Sequence, residues 1–138
     1  MADFSCYFHV ENKSSWDFHL ERDEIKDGNW SDPANNPPQD IKPKQSVRFE
    51  LNDKGGTSKG AEGSVFYTGV DPKSGGNPEG IVHIKLYMSC PLSGSNKAEV
   101  PEKDNAKILV SAVVGDRSGH PADGYFTIHD MNEVENKT

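Results

Sequence analysis

The sequence predicts an all-β protein built as a single antiparallel β-sandwich domain over residues 1–138. Apolar residues fall in short runs that alternate with polar ones, which is the period of a half-buried strand. Thirteen glycines and nine prolines lie almost wholly between these runs, where turns are expected, and no segment of useful length has a helical period. Several short strands separated by such turns are typical of a sandwich.

Seven strands are predicted in chain order. The first two form a hairpin, and the strand at 81–88 has apolar residues on both faces, so we expect it to be central. The nearly uncharged strand at 108–114 is also expected to be central. The predicted strands cover residues 4–10, 16–22, 46–51, 64–69, 81–88, 108–114 and 125–129.

Four segments between these runs are predicted to lack regular structure. The first is a long loop from Asp27 through Pro38, which has little strand or helix character. The segment 54–60 is read as a flexible turn, 97–105 as a charged connection and 133–138 as a frayed tail.

The charge balance limits the partners. The formal net charge is −7 and the sequence pI is about 5.1, and an acidic surface repels phosphate backbones and anionic lipids. Nucleic acid is therefore not expected as a partner, whereas the charge does not exclude binding to neutral or zwitterionic surfaces. No apolar run approaches the roughly 20 residues that a membrane-spanning helix needs.

The residues from Met1 to Ser5 have neither a basic segment nor an apolar one, so no signal peptide is predicted. We expect synthesis in the cytoplasm, and release to act at a target membrane stays open.

Neither catalysis nor a cofactor is predicted. No GxSxG motif is present, and the five histidines have no metal-ligand spacing, so exposed strand histidines are expected. A zinc site assembled from separate strands cannot be judged from spacing. The loop from Asp71 to Glu79 has oxygen ligands suited to calcium, but its order is not that of an EF-hand, and a plain turn is favoured.

Cys6 and Cys90 are the only cysteines in the chain. Both lie in strand-like runs, and a pair of buried reduced thiols is the simpler interpretation. One disulfide between them is the alternative.

The two tryptophans have different expected roles. Trp16 alternates inward and is predicted to be a core residue. Trp30 lies in a loop rich in Gly, Asn, Asp and Pro, where it is a candidate anchor for a membrane interface or a ligand. Packing of Trp30 beneath its own loop is the alternative.

Three short motifs occur in the order of a known family. They are Met88-Ser89-Cys90-Pro91-Leu92-Ser93-Gly94-Ser95-Asn96, Ala61-Glu62-Gly63 followed by Val70-Asp71-Pro72, and Ser118-Gly119 to Gly124 ahead of the last strand. With Trp30 in the early loop, the chain resembles the aegerolysins, small acidic β-sandwich proteins of the Asp-hemolysin and ostreolysin type. The likeness covers roughly residues 4–131 and implies an actinoporin/aegerolysin-like sandwich.

The resemblance implies binding to membrane sphingolipid, with or without sterol. Several aegerolysins are the binding component of a two-component pore-forming cytolysin, so a MACPF-type protein is an implied partner. The glutamate of the A-E-G loop lies at the lipid headgroup in the family, and here that residue is Glu62. The implied lipid-binding residues are Trp30, Glu62, Tyr87, Met88 and Leu92, of which Trp30 and Leu92 would insert shallowly.

The chain departs from the family pattern W-D-C-P-W-G-S at both tryptophans. Met88 and Leu92 occupy those positions, and Tyr87 is the aromatic that remains nearby. The loss of two interfacial rings implies weaker membrane affinity or a different ligand. An ordinary strand end with a turn is the plain alternative for this stretch.

Two other functions stay open. A lectin-like carbohydrate-binding module would use Trp30, Tyr67 and polar neighbours. A small hydrolase would need a Ser or Cys that reacts with an electrophilic probe, and it ranks last.

Overall fold

The structure, a computed structural model, describes residues 4–30, 36–53 and 60–131. Within these ranges the chain forms ten strands, and a single 3-10 turn, Pro78–Gly80, precedes the seventh. The strands are β1 Cys6–Asn12, β2 Asp17–Asp27, β3 Asn29–Trp30, β4 Asp40–Ile41, β5 Ser46–Asn52, β6 Ala61–Val70, β7 Ile81–Cys90, β8 Lys97–Lys103, β9 Ile108–Val114 and β10 Ala122–Asp130.

The strands form two five-stranded sheets that pack face to face. One sheet has the order β3-β5-β1-β10-β9 and the other β4-β2-β6-β7-β8. Neighbouring strands are antiparallel except β1 and β10, which pair in parallel from Cys6↔Ala122 to Asn12↔Ile128. The predicted β-sandwich is confirmed. The parallel pair differs from the prediction because β1 takes a partner from the far end of the chain.

The core is the layer between the two sheets. Alternation along each strand directs one set of side chains inward, and Phe8 stacks between Phe49 at 4.8 Å and Phe126 at 5.9 Å, measured between ring centroids. Trp16 is 3% exposed, which confirms it as a core residue. Gly69 admits the Phe18 ring, because a Cβ there would lie 2.4 Å from Phe18 Cε2.

A buried amide holds the first turn of the chain. Asn12 is fully buried, and its Nδ2 donates to the backbone oxygens of Trp16 at 2.9 Å and Lys42 at 3.1 Å. Its Oδ1 accepts from the Ser14 backbone and hydroxyl. Since a buried amide without partners is costly, these bonds favour one geometry for the β1–β2 connection.

Two strand assignments were wrong. The predicted charged connection contains the strand β8, where Ala98 and Val100 are half-buried against the core and the charged residues face solvent. The strand at 108–114, predicted to be central, is β9 at the edge of its sheet. The prediction assumed that a strand with apolar residues on both faces is covered on both. In the structure, Leu109 and Val113 on the outward face are exposed.

The two segments predicted to be loops at 27–38 and 54–60 fall partly outside the described residues. Inside them, Asn29 and Trp30 form the short strand β3, which pairs with β5 at Asn52 and Leu51. The predicted turn at 54–59 and the predicted tail at 133–138 lie outside the described residues.

Both cysteines are buried reduced thiols with no disulfide between them. Cys6 Sγ lies 3.5 Å from the Ala61 carbonyl oxygen, to which it donates. Burial raises the pKa of the Cys6 thiol, and the nearby Cys90 and Glu62 raise it further. Cys6 therefore stays in the unreactive thiol form at neutral pH.

In the described part of the chain, no helix has both the length and the apolar character required to cross a membrane.

Candidate functional site

The site lies at the end of the second sheet where β6 begins and β7 ends. A pocket of about 290 Å³ opens there, and we call it the Glu62 pocket. Its lining residues are Lys26, Asp27, Gly60, Ala61, Glu62, Ser89, Pro91, Leu92 and Ser93.

Strand register assembles this pocket. Asp27 at the end of β2 pairs with Glu62 in β6, and Glu62 pairs with Ser89 in β7. Because paired residues on one face of an antiparallel sheet lie side by side, a carboxylate, a second carboxylate and a hydroxyl form one row across three strands. Gly60 brings the chain close to this row, since a Cβ there would lie 1.7 Å from the Cys90 carbonyl oxygen.

Glu62 has two polar partners and remains open to solvent. The Tyr87 hydroxyl donates to Glu62 Oε2 at 2.5 Å, and Lys26 Nζ lies 3.6 Å from Oε1. The Glu62 side chain is 26% exposed, whereas that of Lys26 is 72% exposed. Burial raises the pKa of Tyr87 to about 12, and the hydrogen bond to Glu62 contributes. Tyr87 is therefore a hydrogen-bond donor to the carboxylate at neutral pH.

Leu92 lies at the mouth of the pocket and is 41% exposed. Its loop is held by Asn96, which is buried and donates through Nδ2 to the carbonyls of Asp116 at 3.0 Å and Gly119 at 2.9 Å. The Asn96 backbone also donates to the Arg117 carbonyl at 2.8 Å. The turn between β9 and β10 therefore holds in place the loop that carries Leu92.

The structure brings together three of the five predicted lipid-binding residues. Glu62 and Leu92 line the pocket, and Tyr87 reaches it through its hydrogen bond to Glu62.

Met88 lies elsewhere. It is fully buried and faces the opposite sheet, where a Cβ on Gly124 would lie 2.6 Å from the Met88 sulfur. Because Met88 follows Tyr87 in an alternating strand, it points inward and has no surface to offer a lipid.

Trp30 is not among the residues that line the pocket. It lies in β3 of the other sheet, and its ring packs 5.9 Å from Phe8 and 5.8 Å from Phe49, between centroids. Its Nε1 donates to the Asp23 carboxylate at 2.5 Å. The ring is half-buried against the core, as in the alternative in which Trp30 packs beneath its loop.

Lys26 and Ser89 are pocket residues that the sequence analysis did not identify. The predicted second strand ended at Arg22, but β2 continues to Asp27 with register shifts between Leu20 and Arg22 and between Ile25 and Asp27. These irregularities break the simple alternation, so Lys26 has no periodic signal in the sequence. Ser89 could have been found from its place beside the Cys90-Pro91 motif.

The alternative carbohydrate residue Tyr67 is 1% exposed, and its hydroxyl donates to the Pro38 carbonyl at 2.7 Å. Burial raises its pKa. Tyr67 is therefore part of the core and presents no ring to a sugar.

Three histidines pair with aspartates on the outer faces of the sheets. His9 Nε2 lies 2.8 Å from Asp123, His83 Nδ1 lies 2.7 Å from Asp104, and His19 contacts Asp40. Within residues 4–30, 36–53 and 60–131, no three His, Cys, Asp or Glu side chains are grouped so that they could hold a metal ion.

The fold occurs in solved proteins of low sequence identity. No protein-family model and no curated protein matches the chain by sequence. A crystal structure of the RahU protein in complex with Tris superposes with a TM-score of 0.67 at 10% identity and covers 92% of this chain and 95% of that one.

Two further structures are similar. IP-1A from Alcaligenes faecalis has a TM-score of 0.61 at 20% identity and covers 92% of this chain and 91% of its own. The lipid binding protein Nakanori has a TM-score of 0.68 at 12% identity and covers 94% of this chain and 71% of its own. The chain therefore shares its sandwich fold with these three proteins.

Proposed function

We propose that this protein is an aegerolysin-type lipid-binding protein that binds the zwitterionic headgroup of a sphingolipid in the Glu62 pocket. The observation that carries the proposal is the partly exposed Glu62 carboxylate, which accepts a hydrogen bond from Tyr87 and lies 3.6 Å from the exposed ammonium of Lys26.

The pocket matches the two charges of such a headgroup. A phosphoethanolamine or phosphocholine group has a cationic nitrogen and an anionic phosphate a few bonds apart. Glu62 and Asp27 offer oxygens to the cation, whereas the Lys26 ammonium offers donors to the phosphate. The ion pair between Lys26 and Glu62 is exposed and weak, so a ligand that supplies both charges can replace it at little cost.

The apolar surface at the pocket suits shallow contact with a membrane. Leu92 lines the pocket and is 41% exposed. A single aliphatic side chain buries little area compared with two tryptophans. We therefore expect binding to depend on the headgroup more than on insertion.

The shared fold supports this proposal. Nakanori, one of the structural neighbours, is named a lipid binding protein, and the aegerolysin resemblance rests on motifs that include Glu62, Pro91 and Asn96 of this site. By the same resemblance, we propose that the protein is the binding component of a two-component pore-forming cytolysin and that a MACPF-type protein is its partner. Dye release from sphingolipid vesicles, measured with the chain alone and with such a partner, tests this step.

Vesicle sedimentation tests the lipid-binding proposal. We expect the chain to sediment with vesicles of sphingomyelin or ceramide phosphoethanolamine, with or without cholesterol, and to remain in the supernatant with phosphatidylserine. Glu62→Gln should weaken binding about tenfold because one charged hydrogen bond is lost. Glu102→Gln removes an equal charge from β8 and serves as the matched control. If the chain binds none of the sphingolipid vesicles, the proposal is wrong.

Saccharide binding is a second candidate, favoured by a groove on the outer face of the other sheet. The groove has a volume of about 450 Å³ and crosses β5, β1 and β10. In it the His9 and Tyr125 rings stack 4.6 Å apart, and Arg48 supplies donors. Glycan-array binding that Tyr125→Ala abolishes, without vesicle binding, would favour this function.

A further inference from the structure

The four edges of the two sheets are protected very unequally. Among the described strands, β3 and β4 are edges of only two residues each. The third edge, β8, contains Pro101 and four charged residues, Lys97, Glu99, Glu102 and Lys103. Short length, proline and charge are the usual devices that prevent an edge strand from pairing with another chain.

The fourth edge, β9, has none of these devices. It is seven residues long and reads Ile-Leu-Val-Ser-Ala-Val-Val, and among the described strands it has one hydrogen-bonded neighbour, β10. Leu109 and Val113 on its outer face are 41% and 59% exposed. A long, uncharged and apolar edge of this kind is a template for a further strand.

The backbone of β9 is oriented to accept that strand. Gly115 donates to the Asp123 carbonyl at 2.8 Å, and the Lys107 carbonyl accepts from Met131 at 2.9 Å, so the odd-numbered residues turn their backbone groups toward β10. Because these groups alternate sides along a strand, Val110 and Ala112 turn theirs toward the open edge.

The residues of β9 are self-complementary about Ser111. In an antiparallel pairing centred there, Leu109 of one copy lies opposite Val113 of the other, and the two Ser111 residues lie opposite each other. The outer face then has apolar residues against apolar residues and hydroxyl against hydroxyl, with no like charges opposed. Val110 and Ala112 form the hydrogen-bonded pairs on either side of the centre.

We propose that two copies of this chain associate through their β9 strands. The two strands pair antiparallel about Ser111 and join the two five-stranded sheets into one continuous ten-stranded sheet. The interface is isologous, so it closes at two copies. The short length of β3 and β4 and the charge and proline of β8 disfavour further growth of the sheets. The proposal is independent of the Glu62 pocket, which lies on the other sheet.

Sedimentation equilibrium over a range of protein concentrations tests the association. We expect a reversible monomer–dimer equilibrium in the unmodified protein. Ser111→Lys places two ammonium groups opposite each other and should weaken the dimer about tenfold or more. Ser46→Lys, on the exposed start of β5, is the control for added charge and should leave the equilibrium unchanged. A monomer at every concentration overturns the proposal.

Disulfide trapping tests the register. A Ser111→Cys variant should form a cross-linked dimer under mild oxidation, because residues opposite each other in this pairing have a Cα separation of about 4.5 Å. Val113→Cys should not cross-link to itself, since its copies are offset by four residues, or roughly 13 Å. It should cross-link when mixed with Leu109→Cys. Equal self-cross-linking at positions 111 and 113 overturns the proposed register.

Discussion

The Tyr87 hydroxyl donates a 2.5 Å hydrogen bond to the Glu62 carboxylate across the β6–β7 pair. Tyr87 lies opposite Ser64, two residues along β6 from Glu62 and on the same face. The tyrosine therefore holds one carboxylate oxygen, Oε2, and leaves the other, Oε1, beside Lys26. Tyr87, one of the implied lipid-binding residues, thus positions the acidic residue of the pocket.

Tyr87→Phe should weaken vesicle binding while leaving the fold intact. The variant keeps the ring and removes only the hydroxyl, so Glu62 loses its orienting donor. We expect binding to fall several-fold and the free energy of unfolding to fall by about 1 kcal/mol, the usual size of one hydrogen bond. Vesicle sedimentation and urea unfolding measure the two effects. Unchanged vesicle binding would contradict the positioning role.

The same hydrogen bond predicts a loss of stability at high pH. The pKa of Tyr87 is raised from 10.0 to about 12 by burial and by Glu62. The stability that it contributes is fully present below pH 10 and declines as pH rises toward 12, because the unfolded chain releases the phenolic proton first. Urea unfolding at several alkaline pH values should show a shallower decline for Tyr87→Phe than for the unmodified protein. Parallel declines would contradict this account.

Met88→Ala and Leu92→Ala should have opposite effects although they lie four residues apart. Met88 is fully buried over Gly124, so its truncation leaves a cavity and should cost about 2–4 kcal/mol of unfolding free energy. Leu92→Ala removes exposed apolar surface, so it should weaken vesicle binding and change stability by less than about 0.5 kcal/mol. Vesicle binding by folded Met88→Ala should be normal. If fully folded Met88→Ala binds vesicles much more weakly than the unmodified protein, the inward position of Met88 is contradicted.

Asn96→Ala should loosen the loop that carries Leu92. The variant leaves the carbonyls of Asp116 and Gly119 without their donor, at a cost of about 2–3 kcal/mol. Hydrogen exchange should increase in residues 91–96 and 116–119 together, because one side chain joins the two segments. Asn77→Ala is the control, since Asn77 caps its 3-10 turn with no side-chain hydrogen bond. Exchange that increases in one segment alone would contradict the link.

The sequence by itself determined which residues face the core. Alternation is a local property of each run, so the strands around Phe8, Phe49 and Leu86 and the burial of Trp16 could be predicted without the fold. The A-E-G and Cys-Pro motifs also pointed to Glu62 and Leu92, which do lie together in one pocket.

Only the tertiary structure decided what depends on pairing between distant strands. An apolar run such as β9 has the same local pattern at the centre or at the edge of a sheet, and the charged strand β8 resembles a loop until its neighbour β7 is known. The hydrogen bond from Tyr87 to Glu62, and the approach of Lys26, depend on the register between β2, β6 and β7. Register is set by the packing of the whole sandwich, which no single segment of the sequence encodes.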